Sequence, residues 1–298
     1  MKIALFYFSG TGNTELTVKK WKSSAEQFGV QLDLFKIEKD EFDFSKITEY
    51  DKIGFGYPIH AFNAPENVWR YAKKFPKLDK PMNIFIVMVS GEYMSINHSS
   101  GKKLLRILKR RNYFLESDYH YIMPYNMIFR HTEARALRMF VTMNELVPIN
   151  VEDYLVNGKP HLTKKHHLVG WFIWLLRIEQ WFSGVNGKIY RVNKKKCIKC
   201  MKCINNCPTN NIEFINGKFK FHNRCLCCVR CSFNCPTDAF SIGLLNNWRV
   251  NKPYAFKPLD IKEKDRHPRY CKRSYIRYYK EADLVISNYK KTHTNQAS

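Results

Sequence analysis

The cysteines constrain this chain more than any other feature of it. Nine of its ten lie between Cys197 and Pro236. Cys197, Cys200, Cys203 and Cys207 keep the spacing C-x2-C-x2-C-x3-C-P, and Cys225, Cys228, Cys231 and Cys235 repeat it. Three thiolates two residues apart on a tight loop can hold three corners of an iron–sulfur cube. The fourth, set apart by three residues and a proline, is carried away from them. Zinc sites usually take two cysteine pairs around one tetrahedral ion, so triplets at this density fit zinc poorly. The spacing speaks equally against a disulfide framework. Thiolates that must stay unpaired until iron arrives argue for a reducing compartment.

The stretch resembles the bacterial two-cluster ferredoxins over about residues 187–245. In those proteins the fourth cysteine of each run ligates the other cluster. The resemblance therefore implies one [4Fe–4S] centre on Cys197, Cys200, Cys203 and Cys235, and a second on Cys225, Cys228, Cys231 and Cys207. Cys227 and Cys271 are surplus to that ligand set: the first reads as a spare beside a ligand, the second as an ordinary thiol.

At the other end of the chain, Lys2–Phe8 is an apolar run of strand length. It is followed by Ser9, Gly10, Thr11, Gly12, Asn13 and Thr14, and then by a helical pattern to about Phe28. A strand, a small-residue loop and a helix start make a phosphate site, because loop N–H groups, hydroxyls and the positive helix end all face the anion. The loop lacks the lysine of a Walker A motif and the spacing of a dinucleotide fingerprint. An ordinary Gly-Thr turn capping a helix would read the same way. The loop resembles the FMN-phosphate loop of flavodoxins, S/T-x-T-G-N-T, and matches it at every position.

A βα alternation follows. Val30–Lys36, Asp51–Tyr57, Met82–Ser90 and Leu115–Met123 read as strands; Pro65–Phe75 and Ser99–Arg111 read as helices. The nearly continuous apolar run of Met82–Ser90 is that of a strand buried on both faces. The expected fold class is α/β, a flavodoxin-like doubly wound parallel sheet, with its ligand at the carboxyl ends of the strands. A helical connector and a small α+β two-cluster ferredoxin-like domain would follow it. Two loops leave the same strand ends, Tyr57-Pro58-Ile59-His60-Ala61-Phe62 and Ser90-Gly91-Glu92-Tyr93. In flavodoxin-like folds these positions bracket the flavin ring. Tyr57, Phe62 or Tyr93 are therefore candidates to stack on it, with Pro58, Ser90 and Gly91 beside it, although an aromatic at a strand end is as often simple packing.

The expected organisation is a flavin domain over 1–130, a helical connector over 131–186, the cluster domain over 187–245 and a tail over 246–298. His131–Val156 reads as a helix that Pro148 breaks. Leu168–Phe182 reads as a packing helix between domains, or alternatively as a membrane-surface helix. No uninterrupted stretch reaches the length of a spanning helix, and the N-terminus lacks a signal pattern, so a cytoplasmic protein is expected. The formal charge is +24, with a net +7 over residues 1–186 and +17 over residues 187–298. A basic, tyrosine-rich tail can dock an acidic redox partner, wrap its own domain, or bind nucleic acid.

The combination resembles the EFR1-type family of flavodoxin–ferredoxin fusions common in anaerobic bacteria, over about residues 1–245. That resemblance implies an electron-transfer protein carrying two [4Fe–4S] clusters and FMN, exchanging electrons with a redox protein partner. Two alternatives stand beside it: a flavin-dependent reductase with a small substrate over the flavin, and a nucleic-acid-binding protein with structural clusters, which only the tail supports.

Overall fold

The structure, a computed structural model, describes residues 1–38, 41–164, 178–257 and 272–294. Its first half is built on five parallel strands, β1 (Lys2–Tyr7), β2 (Gln31–Lys36), β3 (Lys52–Pro58), β4 (Met82–Ser90) and β5 (Tyr113–Ile122), in the order β2-β1-β3-β4-β5. This is the flavodoxin-like doubly wound order, whose switch point lies between β1 and β3. The interior residues of β4 are buried without alternation, as the apolar run demands.

Helices α1 (Asn13–Gln27) and α4 (Glu133–Val151) cover one face of the sheet, and α2 (Glu66–Ala72) and α3 (Lys102–Lys109) cover the other. Pro148 does not end α4: the helix runs through it and closes in a π turn over Glu152–Val156. After that turn the chain runs back along the outer strand, where the Asp118 N–H donates to the His161 carbonyl at 2.7 Å. The ladder groups of the edge strand are thereby partly covered.

The second half begins with α5 (Ile178–Lys188); the rest of the helix expected over Leu168–Phe182 lies outside the described residues. A pseudo-symmetric unit follows. Short strands β6 (Arg191–Val192) and, at its end, β9 (Phe240–Ser241) pair antiparallel. Between them lie the one-turn helices α6 (Lys202–Asn205) and α7 (Arg230–Phe233) and a hairpin of β7 (Ile212–Ile215) and β8 (Lys218–Phe221).

The two cysteine runs repeat each other in backbone detail. Lys199, Met201 and Asn210 of the first take positive φ, and so do Cys227, Val229 and Asp238 at the matching positions of the second. Sulfur-directed N–H groups repeat as well. Lys199 N–H faces Cys197 Sγ at 3.4 Å as Cys227 N–H faces Cys225 Sγ at 3.3 Å, and Asn211 faces Cys207 as Ala239 faces Cys235. Cys227 is therefore the counterpart of Lys199 in the loop, with its thiol buried.

The final helix, α8 (Lys272–Thr294), packs on α4 rather than on the cysteine unit. Tyr275, Tyr278, Tyr279, Ala282 and Ile286 enter the same core cluster as α1 and α4. Tyr275 donates to the Gly91 carbonyl at 2.5 Å. The tyrosines that read as a binding array are thus largely core residues, while Lys280 and Lys291 are exposed and Lys290 pairs with Glu145 of α4 at 3.0 Å. Among the described residues no helix is long and apolar enough to cross a membrane.

Candidate functional site

The carboxyl ends of the parallel strands open on a cavity of about 410 Å³, within the range of roughly 300–1,000 Å³ usual for small-molecule sites. Its floor is the loop Ser9–Thr14, its sides are the Pro58–Phe62 and Val89–Gly91 loops, and Met123–Ile128 closes a third side. A larger open depression, about 1020 Å³, lies at the amino ends of β3 and β4, lined by Asp51, Lys52 and Pro76–Asn83. That is the wrong end of a parallel sheet for a ligand of this fold.

The loop after β1 leaves polar donors at the cavity floor. Gly12 sits at φ +110°, where an L side chain would be strained, and it starts α1 with no side-chain cap. The positive end of a 15-residue helix is therefore left uncapped by its own side chains. The Ser9 hydroxyl is turned inward and accepts from the N–H groups of Gly12 and Glu15, each at 3.2 Å, which fixes the loop's curl. The Asn126 amide donates to the Thr11 hydroxyl, so the Thr11 hydrogen remains available to a ligand. Asn13 ties the loop to the Pro124 carbonyl at 2.8 Å.

Pro58, Ser90 and Gly91 line the cavity, whereas Tyr57 and Tyr93 do not. Tyr57 is fully buried on the α2–α3 side, its hydroxyl 3.3 Å from that of Ser100. Inward-facing positions alternate along a strand, and this one points into the core. Tyr93 turns away from the cavity, stacked on His120 and hydrogen-bonded to Glu281 of α8 at 2.9 Å. The aromatic residues that do face the cavity are Phe62, Tyr125, Phe182 and Trp248. Tyr125 and Trp248 fall outside the expected loops; the chain returns them from beyond β5 and from beyond the second cysteine run.

The fourth wall of the cavity is Cys227, Cys228 and Val229 of that second run. Contact between the halves is intimate. A Cβ added to Gly10 would lie 2.8 Å from the Cys228 carbonyl oxygen, so only glycine admits this approach without a shift. Arg230, two residues on, reaches under the anion loop. Its guanidinium donates to the Ser9 and Gly10 carbonyls, to both carboxylate oxygens of Glu38 at 2.7 Å, and to the Asn206 carbonyl at 2.8 Å. The Arg230 and Glu38 side chains are only 8% and 1% exposed. A fork matched to a carboxylate and to three carbonyls satisfies every donor a buried arginine has. Nothing in the local sequence around Arg230 marks it, because its partners lie far away in the chain.

The cysteines ring two small cavities. One is lined by Cys197, Cys200, Cys203 and Cys235, the other by Cys207, Cys225 and Cys228; Cys231 and Arg230 border both. Each fourth cysteine thus stands with the other run's triplet. Burial pushes the thiols up, Cys203 to about 11 and Cys225 and Cys228 to about 12, with neighbouring thiols adding to the effect at all three and Arg230 opposing it at Cys228. Bound metal would reverse that preference, since a coordinating thiol is deprotonated outright. His60, whose ring packs 6.4 Å from that of Phe8 and bonds to the Leu226 backbone, is pushed down by burial to about 4 and is neutral at pH 7.

Residues 190–213 match the family described as the 4Fe–4S binding domain. No curated protein matches the chain. Among solved structures, the Streptococcus pneumonia TIGR4 flavodoxin is 14% identical, with 49% of this chain and 97% of that one covered at a TM-score of 0.34. Flavodoxin 1 from Bacillus cereus is 12% identical over 49% and 97%, also at 0.34. An azoreductase from Bacillus anthracis is 12% identical over 51% and 100%, at 0.36.

Proposed function

We propose that the protein is an intramolecular electron relay, in which two [4Fe–4S] clusters exchange electrons with FMN held above the Ser9–Thr14 loop. The observation that carries this reading is the shared wall: Cys227–Val229 of the second cysteine run borders the same cavity as the anion loop. Iron–sulfur cubes pass electrons singly, while a flavin takes one or two, so one chain holding both converts between the two currencies. On this reading Cys197, Cys200, Cys203 and Cys235 hold one cube and Cys225, Cys228, Cys231 and Cys207 the other, in keeping with the grouping around the two small cavities. The flavin phosphate would lie on Ser9, Gly10, Thr11, Gly12, Asn13 and Thr14, where the Thr11 hydroxyl and the start of α1 supply donors. Pro58, Ser90 and Gly91 would stand beside the ring, with Phe62, Tyr125 and Trp248 as its aromatic neighbours.

The role of these residues is to hold and exclude: apolar groups keep bulk water from the ring, and Arg230 fixes the distance between the two sites. A neutral His60 bonded to backbone is poorly placed to act as an acid at pH 7, which favours the relay over a reductase that needs a proton donor there. The test is anaerobic reconstitution followed by iron, sulfide and flavin counts and a visible spectrum. Gly12→Asp puts a carboxylate where the phosphate should lie. It should reduce FMN retention to background while the cluster spectrum survives; retention at the wild-type ratio would remove the loop from the phosphate site.

A further inference from the structure

The pseudo-symmetric cysteine unit presents the same loop face twice, and among the described residues only one copy is covered. At the second run, Leu226 and Cys228 pack on the flavin domain's core, and Arg230 is clamped by the Glu38 carboxylate and by carbonyls. The residues at the matching positions of the first run are Ile198, Cys200 and Lys202. Ile198 is 63% exposed, Cys200 is the one exposed cysteine among the described residues, and Lys202 is exposed as well.

Along the chain on either side of this bare face every charge is basic. Lys188, Arg191, Lys194, Lys195, Lys196, Lys199 and Lys202 are all exposed, and no acidic residue occurs in the sequence between Glu179 and Glu213. Among the described residues none of these seven cations has an acidic partner, in contrast to Arg224, Arg230 and Arg249 further along the unit.

We propose that this face, Ile198 with the exposed Lys195, Lys196, Lys199 and Lys202 near it in the chain, is the docking surface for an acidic one-electron carrier protein. The proposal rests on the relay reading and names the partner of its outer cluster. The covered copy shows what such a face accepts: an apolar surface against the leucine position and a carboxylate against the cation position. A partner with carboxylates around an apolar spot meets both requirements, and it brings its redox centre to the exposed Cys200 edge. Charge of one sign around a docking point speeds encounter by 10- to 1,000-fold or so at low salt, and screening removes the gain. The expected acidic docking site thus sits on the first cysteine loop, with the tyrosines of α8 committed to the core.

The experiment uses the reconstituted full chain and two electron donors: a reduced acidic plant-type [2Fe–2S] ferredoxin, and neutral photoreduced deazaflavin. Stopped-flow bleaching of the cluster absorbance reads docking; flavin reduction reads the relay. Lys199→Glu/Lys202→Glu should slow reduction by the ferredoxin at least about tenfold at low salt and abolish its salt dependence, with the deazaflavin rate unchanged. Lys195→Glu/Lys196→Glu, outside the cysteine run, should act in the same direction if the first pair impairs cluster loading. Lys280→Glu/Lys291→Glu on α8 makes the same change in net charge and should slow the ferredoxin little. Equal rates in all variants, or equal slowing by the α8 pair, would overturn the docking surface. So would lysine-dependent binding to phosphatidylserine vesicles or to duplex DNA with ferredoxin kinetics unaltered. Clusters that bleach while the flavin stays oxidised would instead sink the relay and leave the docking result standing.

Discussion

Cys197–Cys207 and Cys225–Cys235 share a spacing, a set of left-handed backbone positions and a pattern of N–H groups aimed at sulfur, yet their matching side chains meet opposite surroundings. Leu226 is packed where Ile198 is bare, and Arg230 is clamped where Lys202 reaches into water. The ligand spacing sets what each loop can hold. The residues between the ligands set what each loop touches, and so divide an inner site from an outer one.

The severest way to test that division is to remove the crossing ligands. Cys207→Ala should abolish chiefly the centre built on Cys225, Cys228 and Cys231, although Cys207 belongs to the first run by sequence. Cys235→Ala should abolish chiefly the other, and Cys227→Ala should leave both. EPR of the reduced variants separates these outcomes; equal loss of both centres in each ligand variant would break the inner–outer division. Arg230→Ala comes next. Among the described residues it leaves the Glu38 carboxylate, 1% exposed, with only the longer Lys36 pair at 3.7 Å, and frees the Ser9 and Gly10 carbonyls. Breaking a buried pair from one side costs about 3–5 kcal/mol, and Lys36 holds the loss toward the lower end. Flavin retention should fall with stability. Lys202→Ala at the matching exposed position should stay within about 0.5 kcal/mol. Chemical denaturation of the two variants side by side makes the measurement, and similar losses would mean that the two seats are alike.

Much of the inner site was legible from local pattern. The strand Met82–Ser90 is found with the expected bounds, because an unbroken apolar run flanked by turn residues leaves little choice. The doubly wound α/β class followed from the βα alternation, and its flavodoxin-like form from the resemblance carried by Ser9–Thr14; the strand order itself comes from the structure. What could not be read was contact at a distance. Tyr93 sits in a loop that brackets the cavity, but the pull of Glu281 and Arg277 from α8, nearly two hundred residues away, turns it outward. Tyr125 and Trp248 reach the cavity only because the chain folds back over it. Tyrosines interleaved with lysines in the tail look alike whether a helix buries one face or a partner covers both. Only the packing of Tyr275, Tyr278 and Tyr279 on α4 decides it. Pro148 failed to break α4 because tertiary packing overrode its local penalty: Leu146, Val147, Ile149 and Val151 around it are all buried in one cluster.

The smallest expected effect concerns pH, and it belongs to the inner loop alone. His60 lies against Phe8 and bonds to the Leu226 backbone; burial pushes it down to about 4. The unfolded chain takes up a proton there near pH 6.5, while the folded protein resists until pH is near 4. The unfolded state therefore binds more protons through that window. Stability is full above about pH 6.5, declines as pH falls toward 4, and levels off below it, by at most about 3.5 kcal/mol. His60→Gln keeps a donor for the backbone and cannot take the proton, so it should flatten that part of the decline. Urea midpoints at pH 7, 6, 5 and 4.5, followed at the flavin and at the clusters, make the comparison. The wild-type protein should lose ground on the variant below pH 6.5, and the inner site should report it first. Parallel curves for the two proteins would mean that His60 is as free to protonate when folded as when unfolded, and the inner seat would then be wetter than its packing implies.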